Sequence, residues 1–346
     1  MQDRTLVLQK PFKKATMQNK SFAHRMKEYQ TAWANKNGLT HLLEPRHDSQ
    51  PSWVLKREHK TRNLLNPTWW KLIPEGHEHL WARALNSSQC FGLNLFGALA
   101  ENSILAKRVL EMLLPHRTLE KNDVVTVCFE HTPEGTREWL GEIKTRQPTQ
   151  VDVFFTVTRR EKPIGYLLVE VKFTEDEFGS CRGAVPPKPG KDGNLDSSRC
   201  LNFQAVFKSP KTMCWMAEPG NGRHYWDFML SAATPFKFAS VIACPFRQSL
   251  YQLMRNQVLA LALVQNTSAE WAEFGVCLHP GNEEVRQLSD AVLGHTDALD
   301  AFSAILPDKA KTIEISPSKI IELGRRNDPS LSQWADWMVS RYDLHL

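Results

Sequence analysis

The stretch that decides the fold is Val151-Asp152-Val153-Phe154-Phe155, followed after a polar turn by Tyr166-Leu167-Leu168-Val169-Glu170-Val171-Lys172. Both segments are typical of β-strands, which we predict over 149–157 and 164–173. Because alternate side chains of a strand share a face, Glu170 and Lys172 lie on the face of Tyr166 and Leu168. Charges in so apolar a strand are costly to bury without a partner such as a metal ion.

A hairpin through residues 159–163 would place the two strands side by side and bring Asp152, Glu170 and Lys172 to one point. Two carboxylates and a lysine at one point suit a hard cation beside a group that can orient water. The alternative is a solvent-facing Glu170/Lys172 pair on an edge strand, with Asp152 beginning the other strand.

This arrangement resembles the PD-(D/E)XK nuclease superfamily, whose signature is an Asp, a spacer and then (Asp/Glu)-X-Lys on the next strand. The matching positions are Asp152, Glu170 and Lys172, although Val151 stands where the signature has proline. The resemblance implies an α/β fold with a mixed sheet. It implies a restriction-endonuclease-like αβββαβ core at about residues 85–265, with helical additions at both ends.

The resemblance also implies roles for these residues. Asp152, Glu170 and the Val171 carbonyl would hold Mg²⁺ or Mn²⁺, and Lys172 would orient or help to deprotonate the attacking water. Members of the superfamily often add a further acidic residue, for which Glu101, Glu130 and Glu142 compete. We favour Glu142, which is the nearest of the three to Asp152 along the chain. The alternative for Glu142 is a surface glutamate at a strand end.

Further candidates lie on two predicted helices. RecB-like nucleases carry a Gln on the helix after the core, and the resemblance places Gln252 in that catalytic role. Arg255 and Asn256 lie three and four residues further along the same helix face, where they are candidate nucleic-acid contacts. Gln89, on the first core helix, is another. The alternative for these residues is a polar helix face in water.

The net charge of +5 hides an asymmetry. Residues 1–72 contain 14 Lys/Arg against 5 Asp/Glu, a net charge of +9. This pattern suits contact with a phosphate backbone and some base stacking, or else a solvated helical face. The aromatic residues interleaved with these charges are Phe12, Phe22, Trp33, Trp53, Trp69 and Trp70.

The composition favours a globular protein, since 42% of its 346 residues are hydrophobic. No run of 18 apolar residues predicts a membrane span, and the first residues lack a secretory apolar segment. We therefore expect a soluble cytoplasmic protein. Seven cysteines do not suggest a disulfide framework. Four of them could bind a structural Zn²⁺ or an iron–sulfur cluster, and the alternative is that they are small core residues. These four are Cys181, Cys200, Cys214 and Cys244.

We predict a basic N-terminal extension over 1–75 and a nuclease-like domain over 76–346, with an irregular Cys-containing insertion at about 175–235. The predicted helices cover 21–35, much of 76–114 in one or two pieces, 248–264, 283–293 and 331–341. The further predicted strands cover 124–131, 139–143, 238–243 and 312–315.

These observations predict a Mg²⁺-dependent nuclease that hydrolyses phosphodiester bonds in DNA, in phage defence or restriction. RNA is not excluded as substrate, and a homodimer or a regulatory protein partner is possible. The alternatives are a nuclease directed at RNA or single strands, and a non-catalytic nucleic-acid-binding protein that retains the fold. A structural or partner-binding protein with coincidental charges is a third.

Overall fold

A computed structural model describes residues 20–45, 51–187, 193–231, 235–307 and 310–346. Phe12 and the basic residues before residue 20 lie outside the described residues, so the role predicted for them stays a prediction.

The described residues form strands and helices that alternate along the chain. The strands are β1 (Leu43–Pro45), β2 (Pro51–Leu55), β3 (Val124–His131), β4 (Val151–Arg159), β5 (Lys162–Lys172), β6 (Trp271–Leu278), β7 (Gln287–Val292), β8 (His295–Asp297) and β9 (Ile313–Ile315). The helices are α1 (Phe22–Lys36), α2 (Ser88–Glu101), α3 (Ser103–Leu113), α4 (Thr136–Trp139), α5 (Phe203–Lys208), α6 (Pro210–Met213), α7 (Tyr225–Met229), α8 (Tyr251–Asn266), α9 (Ala298–Ile305), α10 (Pro317–Asn327) and α11 (Ser332–Tyr342).

The predicted hairpin is confirmed, because β4 and β5 pair antiparallel with Phe154 opposite Leu168. Arg160 and Glu161 connect the two strands, and both have positive φ values, of 47° and 65°. Two consecutive left-handed residues form the tight turn whose twist matches that of the strands it joins. This turn, together with a shift of register between Val157 and Thr158, sets the pairing of the two strands and therefore which side chains share a face.

The main sheet has five strands in the order β3-β4-β5-β6-β9. The first three strands are antiparallel, whereas β6 runs parallel to β5 and β9 runs parallel to β6. The predicted mixed α/β class is thus confirmed. The central position of β5 explains why its residues Leu167, Leu168 and Val169 are all buried.

Helices cover both faces of the sheet. Val153 and Phe155 of β4 lie in one core with apolar residues of α2, α3, α10 and α11. Phe154 and Leu168 point the other way, into a second core with α8 and the irregular region before it. Alternation along β4 and β5 therefore divides the molecule into three layers, and the even-numbered residues face α8.

The N-terminal segment packs onto the first of these layers. Phe22 of α1 is buried in the same core as Phe91 of α2. The Trp69 ring lies so close to Gly97 that a Cβ on that glycine would be 2.5 Å from it. A glycine in α2 is therefore needed for this tryptophan to pack.

Several predicted elements differ from the structure. The strand predicted at 139–143 is absent from the described residues, where α4 and a turn lie instead. Residues 238–243 form no strand, because Phe238 packs into an aromatic cluster with Phe203 and Phe236. The helix predicted at 283–293 is mainly β7, which turns into β8 through Leu293 and Gly294, both with positive φ.

The sheet also extends beyond residue 265, where we predicted the end of the core, because its fourth strand is β6. The helices predicted at 21–35, 248–264 and 331–341 correspond to α1, α8 and α11, and the strand at 312–315 corresponds to β9. Of the helices in the described ranges, none is long and apolar enough to span a membrane.

Candidate active site

The β4–β5 hairpin brings the three signature residues together. The last pair of its ladder sets Val153 opposite Val169, so Asp152 and Glu170 are the next residues of their strands. The Val171 N–H donates to Asp152 Oδ2 at 2.7 Å, and Lys172 Nζ lies 2.8 Å from Glu170 Oε1. Asp152, Glu170 and Lys172 therefore form one cluster, as the sequence predicts.

Helix α8 fixes the orientation of Glu170 from the opposite side. Asn256 Nδ2 donates to Glu170 Oε2 at 2.8 Å, so each carboxylate oxygen has a partner. Asn256 is only 2% exposed, and its side-chain amide positions Glu170. The nucleic-acid contact predicted for it stays a prediction.

The surroundings of the cluster shift the pKa values of both Asp152 and Lys172. Burial raises the pKa of Asp152 well above its ordinary value, and the nearby carboxylates of Glu170 and Glu130 raise it further. Burial alone would lower the pKa of Lys172, but the carboxylates of Glu170, Glu175 and Asp152 outweigh burial and raise it. Lys172 is therefore a firmly held cation, and Asp152 lies where a second positive charge would be favourable.

A further acidic residue of the site is Glu130, near the end of β3. It is buried and has a positive φ of 47°, which is unusual for a residue other than glycine. Gln89 Nε2 donates to its Oε1 at 2.7 Å, and His79 Nε2 lies 3.3 Å from the same atom. Gln89 is thus a buried partner of Glu130, and the nucleic-acid contact predicted for it stays a prediction.

Glu142, the acidic residue that we favoured, lies elsewhere. It is 0% exposed and accepts from Thr149 Oγ1 at 2.7 Å and from the Tyr225 hydroxyl. It also lies 3.4 Å from Arg255 Nη2. Among the described residues that line the cleft around Asp152, Glu130 is present and Glu142 is not. The contacts of Glu142 hold α7, α8 and the start of β4 together.

The cluster opens into a cleft of about 880 Å³. Gln252 and Arg255 of α8 line this cleft, and the catalytic role of Gln252 and the phosphate contact of Arg255 stay predictions. Arg137 and Arg146 also line it, so carboxylates at its floor are flanked by guanidinium groups. This distribution suits a ligand with several negative charges that meets a cation at its centre.

Sequence reasoning missed His79, and it named Glu130 as a candidate but favoured Glu142. Glu130 ends a predicted strand, and antiparallel pairing of that strand with β4 places it opposite Asp152, so this signal was available. His79 has no such signal, because it reaches Glu130 from a loop held by Gln89, whose Oε1 accepts from the His79 N–H at 3.0 Å.

The residues present fit a divalent cation. The predicted ligands are two carboxylate side chains and the Val171 carbonyl. In the described part of the chain, no three His, Cys, Asp or Glu side chains are grouped so that they could hold a metal. Asn256 Oδ1 is buried beside Glu170 without a hydrogen-bond partner among the described residues. An unpaired buried oxygen on a residue that contacts the Glu170 carboxylate is suited to a metal-bound water.

The four cysteines predicted to bind a metal lie near one another in the irregular region. Cys200 Sγ is 3.8 Å from the Gly183 carbonyl, and the Cys244 N–H donates to the Cys200 carbonyl at 2.7 Å. Burial, and then the thiols of Cys214 and Cys200, raise the pKa of Cys181 to about 12. Because no three of these side chains form a metal-binding group as described above, the Zn²⁺ or iron–sulfur site stays a prediction.

Comparison with known proteins identifies a family. The profile described as Restriction Endonuclease associating with ARP matches residues 14–343, nearly the whole chain. No curated protein and no solved structure matches. The chain therefore belongs to this restriction-endonuclease family, and its membership indicates a nuclease role.

Proposed function

We propose that this member of the family of restriction endonucleases associating with ARP is a metal-dependent nuclease of PD-(D/E)XK type that cleaves DNA. The observation that carries the proposal is the cluster of Asp152, Glu170 and Lys172 at the floor of a cleft flanked by arginines. A purely structural hairpin has no need of two adjacent buried carboxylates, where burial and then the charge of Glu170 raise the pKa of Asp152.

The order of elements supports this assignment. Helix α2 is followed by the antiparallel strands β3, β4 and β5, then by α8 and the parallel strand β6. With α3, α4 and helices α5 to α7 treated as additions, this order is compatible with the αβββαβ core implied by the resemblance, with the crossover to β6 made by α8. Helix α8 is also the element that contributes Gln252, Arg255 and Asn256 to the site.

Each residue has a role that follows from its contacts. Asp152, Glu170 and the Val171 carbonyl would hold Mg²⁺ or Mn²⁺, and Asn256 would keep Glu170 in position. The bound cation stabilises developing charge on the phosphate and lowers the pKa of water. Lys172 presents an ammonium group that orients water, and Glu130 takes the additional acidic role that we predicted for Glu142. Gln252 and Arg255 would contact the substrate beside the scissile phosphate.

The biological setting follows from the chemistry and the family description. A restriction-type nuclease that cuts DNA serves in restriction or phage defence, and we propose that setting here. Paired cuts in a duplex require two active sites or two binding events, so a homodimer or a regulatory partner is compatible with this function.

The test is cleavage of labelled DNA in Mg²⁺ by the wild type and by Asp152→Asn. We expect the variant to cleave about a thousandfold more slowly, because loss of a cation ligand removes several kcal/mol of transition-state stabilisation. Glu161→Gln is the matched control, since Glu161 is an exposed acid at the other end of the same hairpin. Equal cleavage by Asp152→Asn and the wild type would contradict the proposal.

Parallel assays on duplex DNA, single-stranded DNA and RNA separate the main function from an RNA-directed nuclease. A non-catalytic binding protein would retain these nucleic acids on a filter but cleave none of them, with or without Mg²⁺.

A further inference from the structure

A second groove adjoins the cleft. It has a volume of about 390 Å³ and shares four wall residues with the cleft. The shared residues are His79, Leu80, Ser88 and Glu175. A chain molecule with one unit at Asp152 can therefore extend past His79 into the groove.

One wall of the groove presents two large apolar side chains to solvent. Leu80 is 85% exposed and Trp81 is 64% exposed, and they are adjacent in the chain. Isolated exposed apolar residues are ordinary on protein surfaces. Leu80 and Trp81, however, are adjacent and lie beside the cleft that holds the carboxylates. Together they form a surface suited to a flat apolar ligand.

The loop that carries Leu80 and Trp81 is pinned by hydrogen bonds. The Ala84 N–H donates to the Trp81 carbonyl at 2.8 Å, and Asn63 Nδ2 donates to the carbonyls of Ala82 and Ala84 at 3.0 and 2.7 Å. Ala82 and Ala84 are buried. The exposed pair is therefore held outward by an ordered loop.

The opposite wall combines an aromatic ring with a positive charge. Trp53 of β2 lines the groove, and Lys27 Nζ lies 4.5 Å from the centre of its ring. A groove with tryptophans and an ammonium group has the composition of sites that bind single-stranded nucleic acid, in which bases stack on aromatic rings and cations follow the phosphates. A duplex offers no free base faces to such a surface, except at its ends.

We propose that this groove, formed by Lys27, Trp53, Leu80 and Trp81, binds unpaired nucleotides of the DNA strand next to the scissile phosphate, with a base stacked on Trp81. This inference rests on the proposed function for the identity of the cleft. It specifies the substrate further: DNA that is single-stranded, or that carries a single-stranded segment beside the cleavage point.

The test is binding of labelled oligonucleotides, measured by fluorescence anisotropy in an Asp152→Asn background so that no cleavage occurs. The probes are a single strand, a blunt duplex and a duplex with a single-stranded tail. We expect Trp81→Ala to weaken binding of the single strand and the tailed duplex by about tenfold, the effect of one lost base stack. Binding of the blunt duplex should not change.

Two further variants sharpen the result. Trp81→Phe retains an aromatic face and should restore most of the affinity, whereas a general folding defect would not be rescued in this way. Ile242→Ala is the control, because Ile242 is 83% exposed and lies outside the groove. Lys27→Ala should lower the slope of log affinity against log salt by about one, as expected for one lost phosphate contact.

The outcomes separate this inference from the proposed function. Binding that depends on Trp81 supports the groove even if the wild type cleaves nothing, since the assay does not use cleavage. Trp81→Ala and Ile242→Ala with equal affinity for the tailed duplex would overturn the groove and leave the nuclease site intact. If Trp81 were needed to bind a protein while Trp81→Ala left the affinity for DNA unchanged, the groove inference would likewise be overturned.

Discussion

Replacement of Asn256 by alanine tests how the site is built. The substitution removes the Nδ2–H that donates to Glu170 Oε2 at 2.8 Å and leaves Glu170 with Lys172 as its remaining side-chain partner. A buried hydrogen bond to a charged group contributes about 2 kcal/mol to the free energy of unfolding. With an unfolding entropy of roughly 0.7 kcal/mol/K for 346 residues, Tm should fall by about 3 °C.

The same substitution should change the metal requirement more than the maximal rate. Asn256 would act as the outer partner of a metal-binding carboxylate, and loss of such a partner typically weakens metal affinity by about 10- to 100-fold. We expect the Mg²⁺ concentration at half-maximal cleavage to rise by that factor, with most of the rate recovered at high Mg²⁺. A Mn²⁺ titration by calorimetry measures the same change in affinity without cleavage.

Asn266→Ala is the matched control, because it removes an asparagine from the end of the same helix. Asn266 Nδ2 donates to the Ala262 carbonyl, away from the site. It should leave the Mg²⁺ requirement unchanged. If Asn256→Ala and Asn266→Ala had the same Mg²⁺ requirement, Asn256 would not position a metal-binding carboxylate and the reasoning would be refuted.

Two further predictions concern stability and the cysteines. Burial lowers the pKa of His279 from 6.5 to about 4, and its ring accepts from the Gly281 N–H through Nδ1 while its Nε2–H donates to the Tyr342 carbonyl. Between these two pH values only the unfolded state binds the proton. Neutral His279 therefore contributes up to about 3 kcal/mol to the free energy of unfolding. This contribution is fully present above pH 6.5 and is lost as the pH falls towards 4. Melting curves from pH 7.5 to 4.5 should show a steeper loss of Tm in the wild type than in His279→Gln, and parallel curves would contradict this. For the cysteines, we expect a thiol reagent to modify exposed Cys128 well before half-buried Cys181, whose pKa is raised to about 12, mainly by burial. We expect elemental analysis of the same sample to find metal that Cys181→Ser loses and Cys128→Ser keeps. A metal-free wild type would leave the four cysteines as core residues.

The sequence predicts those parts of the molecule that depend on neighbouring residues. The hairpin follows from the alternation of side chains in two adjacent segments and from the polar residues 159–163 between them. The positions of Asp152, Glu170 and Lys172 follow from the hairpin. Helices α1, α8 and α11 are similarly set by local patterns. All of these features involve contacts within about 20 residues along the chain.

Features that depend on distant contacts were missed or misassigned. Phe238 lies in an apolar run that is typical of a strand, but its side chain fills a space among other aromatic rings, and that space is set by the fold. Glu142 was chosen for its closeness in sequence to Asp152, whereas Tyr225 and Arg255 draw it into a separate network. Asn256 shares a predicted helix face with Arg255, and only the packing of α8 on the sheet shows that it meets Glu170.

The most direct test of the central claim is calorimetric titration of Mn²⁺ into the wild type, Asp152→Ala and Glu161→Ala. The account predicts saturable binding in the wild type and in Glu161→Ala, and loss of that binding in Asp152→Ala, whether or not the protein cleaves DNA under the conditions of the assay. Absence of Mn²⁺ binding by the wild type, both with and without DNA, would contradict a metal site at Asp152 and Glu170 and with it the proposed nuclease mechanism.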